Sequence, residues 1–269
     1  MKKIPKYSHL PFNRKLLEDE SFIFECHPGT DCFTRCCRDA DMYLYPYDII
    51  RLKSRLALSS EQFLEQHTTI AFRDNPYFPS VMLQMSDRED KACPFLSSAG
   101  CGVYEDRPFS CRAYPLERAV ARVADEKRPK EMYFLVRHSH CDGHQETLRW
   151  TVAQWLADQQ IKDYNEINDR WVEIDTLFRQ NPWKAEKLES PKLKMAFMAC
   201  FNIDRLRTFI TQSSFFERFE VEPGKIDRLM ASDTDLLKFG FDWIEFSLTG
   251  KGPLKIKAQK KSHKKRVSS

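Results

Sequence analysis

The sequence predicts an α+β fold: a small cysteine-rich unit of short helices and β-hairpins, followed by a helical C-terminal half. Three observations predict it. Eight of the nine cysteines fall at or before Cys141 in a chain of 269 residues. Around them, short alternating apolar runs separated by Gly, Pro, Ser and charged turns read as strands and loops. After Gly143 the apolar spacing changes to that of amphipathic helices. The expected division is a cysteine-cluster domain over 1–145, a helical domain or extension over 146–250, and a basic disordered tail over 251–269.

In chain order, residues 1–25 carry few periodic signals and read as an irregular arm. The first cysteine knot follows, CHPGTDCFTRCC, with Gly29 as a turn residue that folds Cys26 back. Cys32 and Cys36 are four apart, so a helical turn would place them on one face, with Cys37 about 100° away. Pro46 suits the first turn of a helix whose apolar face is Ile49, Ile50, Leu52, Leu56 and Leu58. Ser59 or Ser60 caps a second short helix, with Gln62 at the capping-box offset from Ser59 and Phe63 and Leu64 as its apolar side. This pair reads as a helical insert that spaces two groups of cysteines. VMLQMS, the turn DRED and KACPFL read as a β-hairpin delivering Cys93. AVARVA and MYFLVR, across DEKRPK, read as a second pair of strands leading to His138, His140, Cys141 and His144.

The C-terminal half shows four helical stripes. Leu148, Val152, Trp155 and Leu156 make the first; Tyr164, Ile167, Trp171, Ile174 and Phe178 make the second, up to Asn181-Pro182. Ser190-Pro191 opens a third by cap and first-turn proline, with Leu193, Phe197, Cys200, Leu206 and Ile210 inward. Asp233 or Asp235 opens a fourth, with Leu236, Leu237, Phe241, Ile244 and Leu248 inward. Cys200 lies on an apolar face and reads as a buried structural thiol.

Composition excludes several classes. No apolar run reaches the roughly 18 residues a membrane helix needs, and MKKIPKYSHLPFNRK lacks the apolar core of a signal peptide. The expected location is therefore cytoplasmic, where clustered thiols bind metal more often than they form disulfides. The net charge of +4 is concentrated at the end: Lys251, Lys255, Lys257, Lys260, Lys261, Lys264, Lys265 and Arg266 stand there without one acidic residue, so the body is net acidic. No membrane partner is expected, and nucleic-acid contact is confined to weak binding by that tail. The helical half is the surface expected to take a protein partner.

The cysteine spacing is C-x5-C-x3-C-C, then 55 residues, C-x7-C-x9-C, then 29 residues and C. Cys26, Cys32, Cys36, Cys37, Cys93, Cys101, Cys111 and Cys141 are the expected metal ligands. No C-x2-C occurs, which sets aside zinc ribbons, RING-like sites and thioredoxin pairs. The bacterial ferredoxin run is absent, and Asp39 stands where a C-x3-C-x2-C motif needs its third cysteine. Adjacent Cys36 and Cys37 cannot easily chelate one ion, so they serve two metal atoms, or one ligates and the other packs. Eight thiolates suffice for two tetrahedral zinc sites or for cubane iron–sulfur chemistry; charge sharing and the missing knuckles favour an iron–sulfur cluster over zinc. Arg107 and Arg112 lie close to these cysteines as cations for a cofactor site of high negative charge, or as solvated surface residues. His27, His138, His140 and His144 are substitute ligands or plain loop histidines. No catalytic residue is identified. The paired glycines Gly100/Gly102 and Gly250/Gly252 lack the third glycine and strand-to-helix setting of a nucleotide fingerprint.

CPFL, GCGVYEDRP, SCRAYP, the Cys36-Cys37 pair and YPYDIIRLKSRLALSSEQFLEQ resemble the YkgJ-type cysteine-cluster family over about residues 22–145. The resemblance implies a zinc- or iron-chelating domain of eight-cysteine type. A related constellation occurs in flagellin lysine methylases, so a protein-modifying enzyme is the alternative it implies; an adaptor folded by zinc, its helical half binding a partner, is a separate alternative.

Overall fold

The computed structural model describes residues 13–18, 20–121, 130–184 and 190–258. Within the first 25 residues the chain forms strands β1 (Arg14–Leu17) and β2 (Phe22–Ile23). The expected irregular arm is thus corrected: β1 lies antiparallel on β9 (Lys130–Val136), and β2 on β10 (Arg149–Trp150), partners more than a hundred residues away. Strands β8 (Leu116–Ala121) and β9 pair as read from sequence, with Leu116 opposite Leu135, completing the order β1-β9-β8. The expected turn between them lies outside the described residues, which omit 122–129.

Helix α1 (Pro46–Arg55) starts at its proline, and the Tyr45 N–H donates to Asp48 Oδ2 at 2.9 Å. Helix α2 (Ser60–His67) is capped by Ser59: the Gln62 N–H donates to Ser59 Oγ at 3.2 Å, and the Ser59 N–H donates to Gln62 Oε1 at 2.9 Å. The hairpin expected over VMLQMS and KACPFL does not form. Instead β5 (Ser80–Leu83) is the middle strand between β3 (Tyr43–Leu44) and β4 (Thr68–Ala71), all antiparallel. Alternation marks a half-buried strand without naming its partner; here the partners are the strands flanking α1 and α2. A small hairpin, β6 (Leu96–Ser97) with β7 (Gly100–Cys101), and helix α3 (Phe109–Ala113) carry the second group of cysteines.

The C-terminal half is helical: α4 (Val152–Asp158), α5 (Ile161–Arg179), α6 (Pro191–Phe201), α7 (Ile203–Gln212), α8 (Phe215–Arg218), α9 (Pro223–Ala231) and α10 (Asp233–Thr249). Leu148, read as part of the first stripe, precedes α4 and is exposed. The third expected helix is two, because Asn202 leaves helical geometry and its side chain accepts the Arg205 N–H, starting α7. After α10 the chain turns back: Leu254 is buried, the Glu220 N–H donates to the Lys255 carbonyl at 2.9 Å, and the Lys257 N–H donates to the Arg218 carbonyl at 2.8 Å. Residues 259–269, most of the basic tail, lie outside the described residues.

One hydrophobic core joins the α1/α2/β3–β5 region to helices α5–α10; Phe78 before β5 stacks on Phe178 of α5 at 3.9 Å between ring centroids. Lys53 of α1 is buried against Asp204 of α7 and Asp233 of α10, at 3.0 and 2.7 Å. A second, smaller cluster gathers Leu17, Phe22, Phe24, Leu116, Leu135 and Trp155. Among the described residues no helix is long and apolar enough to cross a membrane.

Candidate metal centre

The first knot is built by tight turns. The Thr30 N–H donates to the His27 carbonyl and the Phe33 N–H to the Thr30 carbonyl, both at 3.0 Å. Thr34 then adopts a left-handed conformation (φ 63°) before a 3-10 turn over Arg35–Cys37. The helical turn expected to align Cys32 with Cys36 is interrupted at that residue: Cys32 is buried, while Cys36 lies within the separate 3-10 turn and is exposed. The second group is fastened to the first by backbone. The Cys93 N–H donates to the Cys37 carbonyl at 2.8 Å, and Arg38 forms an antiparallel bridge with Ala92. Gly100 has φ 108°, and a Cβ there would lie 3.2 Å from Phe33 Cζ, so glycine lets the β6–β7 hairpin rest on the first knot. Cys111 rides on α3, whose Phe109 N–H donates to the buried Asp48 Oδ1 at 2.8 Å. Cys141 follows β9, and the next residue's N–H, Asp142, donates to Cys32 Sγ at 3.2 Å.

Three separated segments therefore converge, and all nine cysteines are free thiols. The principal electrostatic influences divide the eight candidates into two sets. Cys26 feels Cys36, Cys32 and Cys141, and Cys141 feels Cys32 and Cys36. Cys37 feels Cys36, Cys111 and Cys93, while Cys111 feels Cys36, Cys93 and Cys101. Cys36 couples to both sets, and its neighbour Cys37 belongs to the second. Burial, followed by the neighbouring thiols, pushes the Cys26 pKa up to about 11. Burial likewise raises Cys93 and Cys141, and Cys111, which keeps an exposed face but is otherwise tightly surrounded. Cys36 alone is drawn down, to about 7, by the hydrogen bond from Cys37, whose own pKa rises in consequence. Thiols that penalise one another's ionisation hold their protons until a cation is bound among them, and metal binding releases those protons.

Other groups aim donors at sulfur. The Phe95 and Leu96 N–H groups favour the Cys93 thiolate, the Gly143 N–H favours that of Cys141, and the Tyr114 hydroxyl hydrogen-bonds to Cys141. Such donors stabilise and orient metal-bound thiolates. Gly102, which follows Cys101, spends its N–H on the Phe95 carbonyl at 2.8 Å. Tyr114, Asp48 and Met42, whose Sδ lies 3.9 Å from Cys111 Sγ, were not legible as site residues. Tyr114 lies inside the SCRAYP motif, which was its one signal.

Arg107 and Arg112 are buried rather than solvated. Arg107 covers the Tyr104 ring, its guanidinium carbon 3.8 Å from the centroid, and donates to Gln159 Oε1; its charge reaches Cys111 and Cys101. Arg112 donates to the Gln159 carbonyl at 2.7 Å and to the Glu105 carbonyl. Both tie the cysteine loop to the end of α4. Of the histidines, His138 stacks on Tyr114 and His140, His144 lies 3.2 Å from the Tyr114 hydroxyl, and His27 accepts the Gly29 N–H. Cys200 is fully buried in α6, and the influences that raise its thiol are burial and Asp175, not another cysteine.

A thiolate-rich centre set in a small α+β scaffold defines the class: a cysteine-cluster domain whose donor set suits soft or borderline metals. The family model of the CxxCxxCC domain, described as "putative zinc- or iron-chelating domain", matches residues 25–142, and this segment carries that cysteine-cluster domain. No curated protein and no solved structure matches the chain.

Proposed function

We propose that the eight cysteines between Cys26 and Cys141 hold an iron–sulfur centre, with zinc as the alternative the same thiols permit. The reading is carried by the spacing of the sulfurs. A tetrahedral zinc about 2.3 Å from each thiolate sets its sulfurs roughly 3.8 Å apart. Among the described residues, no three cysteine sulfurs lie within 4.8 Å of one another. Iron–sulfur clusters distribute their thiolates over several metal atoms and accept this wider array. The two four-thiol sets, Cys26, Cys32, Cys36 and Cys141 beside Cys37, Cys93, Cys101 and Cys111, supply enough ligands for clustered metal, and the N–H···S donors and buried Arg107 offset its negative charge. The helical half braces the domain through the shared core.

Anaerobic purification of the full chain, with iron, zinc and acid-labile sulfide measured beside a visible spectrum, tests this. A brown protein with matched iron and sulfide is the expected result. Colourless protein with stoichiometric zinc replaces the cluster by zinc, which has no visible bands. Protein free of iron, zinc and sulfide removes the metal reading.

A further inference from the structure

A second constellation lies on the other side of Cys26. Glu25, His27 and Glu146 present three donor atoms that all lie within 4.8 Å of one another, each residue half-buried. Sequence gives no hint of it, since Glu146 is more than a hundred residues from the other two. Backbone pairing fixes the geometry: the Glu25 N–H donates to the Gly143 carbonyl at 3.0 Å, and the Phe24 N–H donates to the Leu148 carbonyl at 3.1 Å. Side chains alternate along an extended segment; accordingly Glu25 and His27 meet Glu146, while Cys26 between them faces Cys32, Cys36 and Cys141.

His27 Nε2 and Glu146 Oε2 are 3.6 Å apart. That is too long for a hydrogen bond. It is close to the roughly 3.4 Å that separates two donors sharing one tetrahedral ion with bonds of about 2.1 Å. We propose that Glu25, His27 and Glu146 bind a divalent first-row ion, manganese, iron or zinc, at a site separate from the thiol centre. One imidazole and two carboxylates suit these ions, and three protein donors leave a coordination position for water. The Gly29 N–H now donates to His27 Nδ1 at 3.1 Å, which places the ring proton on Nε2. An ion bound at Nε2 moves that proton to Nδ1 and frees the Gly29 amide. The Gly29 amide resonance then becomes a reporter of binding.

Manganese is the probe, because it prefers oxygen and nitrogen donors and leaves thiolates to softer metals. The full-length protein, purified anaerobically with its cysteine centre as isolated, is titrated with Mn2+ while the resonance of the free ion is followed by electron paramagnetic resonance. One manganese bound per chain, with the Gly29 amide resonance broadened away by the paramagnetic ion, is the expected result. His27→Asn and Glu146→Gln should each weaken binding by at least about tenfold while leaving iron and sulfide content and the far-ultraviolet spectrum unchanged. Wild-type protein that leaves all manganese free overturns the proposal. So do variants that fold and bind it as tightly as the wild type. Neither outcome depends on which metal the cysteines hold.

Discussion

Gly240→Ala separates two opposed effects on one helix. Gly240 lies within α10, and in isolation replacing a mid-helix glycine by alanine stabilises by about 1 kcal/mol. Here a Cβ would stand 2.6 Å from the Ala199 carbonyl oxygen and 3.1 Å from Leu206 Cδ2. The leucine methyl can rotate, but the carbonyl belongs to the α6 backbone, so α10 and α6 must separate by several tenths of an ångström. Overpacking of this kind costs about 1–3 kcal/mol, and more where backbone blocks relaxation. The steric effect wins, and the variant should be about 1–2 kcal/mol less stable. Urea unfolding followed by tryptophan fluorescence and by far-ultraviolet circular dichroism measures it. Because α10 shares its core with α1 and β5, both signals should shift together. A variant as stable as the wild type, or more so, refutes the close α6–α10 crossing. A shift confined to one signal refutes the shared core.

Two further outcomes follow. Cys200→Ser leaves a hydroxyl in a fully buried apolar site and should cost about 1–3 kcal/mol in urea unfolding, while metal per chain stays at the wild-type value; a loss of metal would make Cys200 a ligand. Stripping metal with a chelator under anaerobic conditions should raise amide hydrogen exchange in residues 26–37, 91–111 and 138–145 while α5 and α10 stay protected. Equal exchange with and without metal in those segments would place the metal elsewhere.

What the sequence makes legible is local. The start of α1 at Pro46, the Ser59–Gln62 cap, the five inward residues of α5 and the pairing of β8 with β9 each depend on residues a few positions apart, or on strands joined by one turn. What it hides is partner choice. VMLQMS has the alternation of a hairpin limb, but β5 pairs with β3 on one side and β4 on the other, and KACPFL is left to bridge Arg38 through Ala92. Residues 14–23 look irregular because strands of four and two residues draw their stability from β9 and β10. The shared helical face for Cys32 and Cys36 follows from a spacing of four only where the backbone stays right-handed, and Thr34 breaks that condition. The same long-range pairing that hides β2 also brings Glu25 to Glu146.

The cysteine centre occupies a seam. Cys93 and Cys101 pack against the large core that holds α1, β5 and the C-terminal helices, whereas Cys141 packs against the small cluster built from β1, β2, β8, β9 and Trp155. Phe109, two residues before Cys111, touches both. Protein already crosses this seam through Asp48 to Phe109, through Arg107 and Arg112 to Gln159, and through Arg118 of β8 to Asp169 of α5. Between the two thiol sets the direct covalent link is the Cys36–Cys37 peptide. The two thiols also meet through the Cys37–Cys36 hydrogen bond, and Cys36 feels members of both sets, so this pair is where the sets join. Metal held by both sets therefore closes a loop from one core, through Cys36 and Cys37, to the other. Its binding free energy acts on the segments that carry the cysteines, which is why those segments, and not the helices, are the ones that metal removal should loosen.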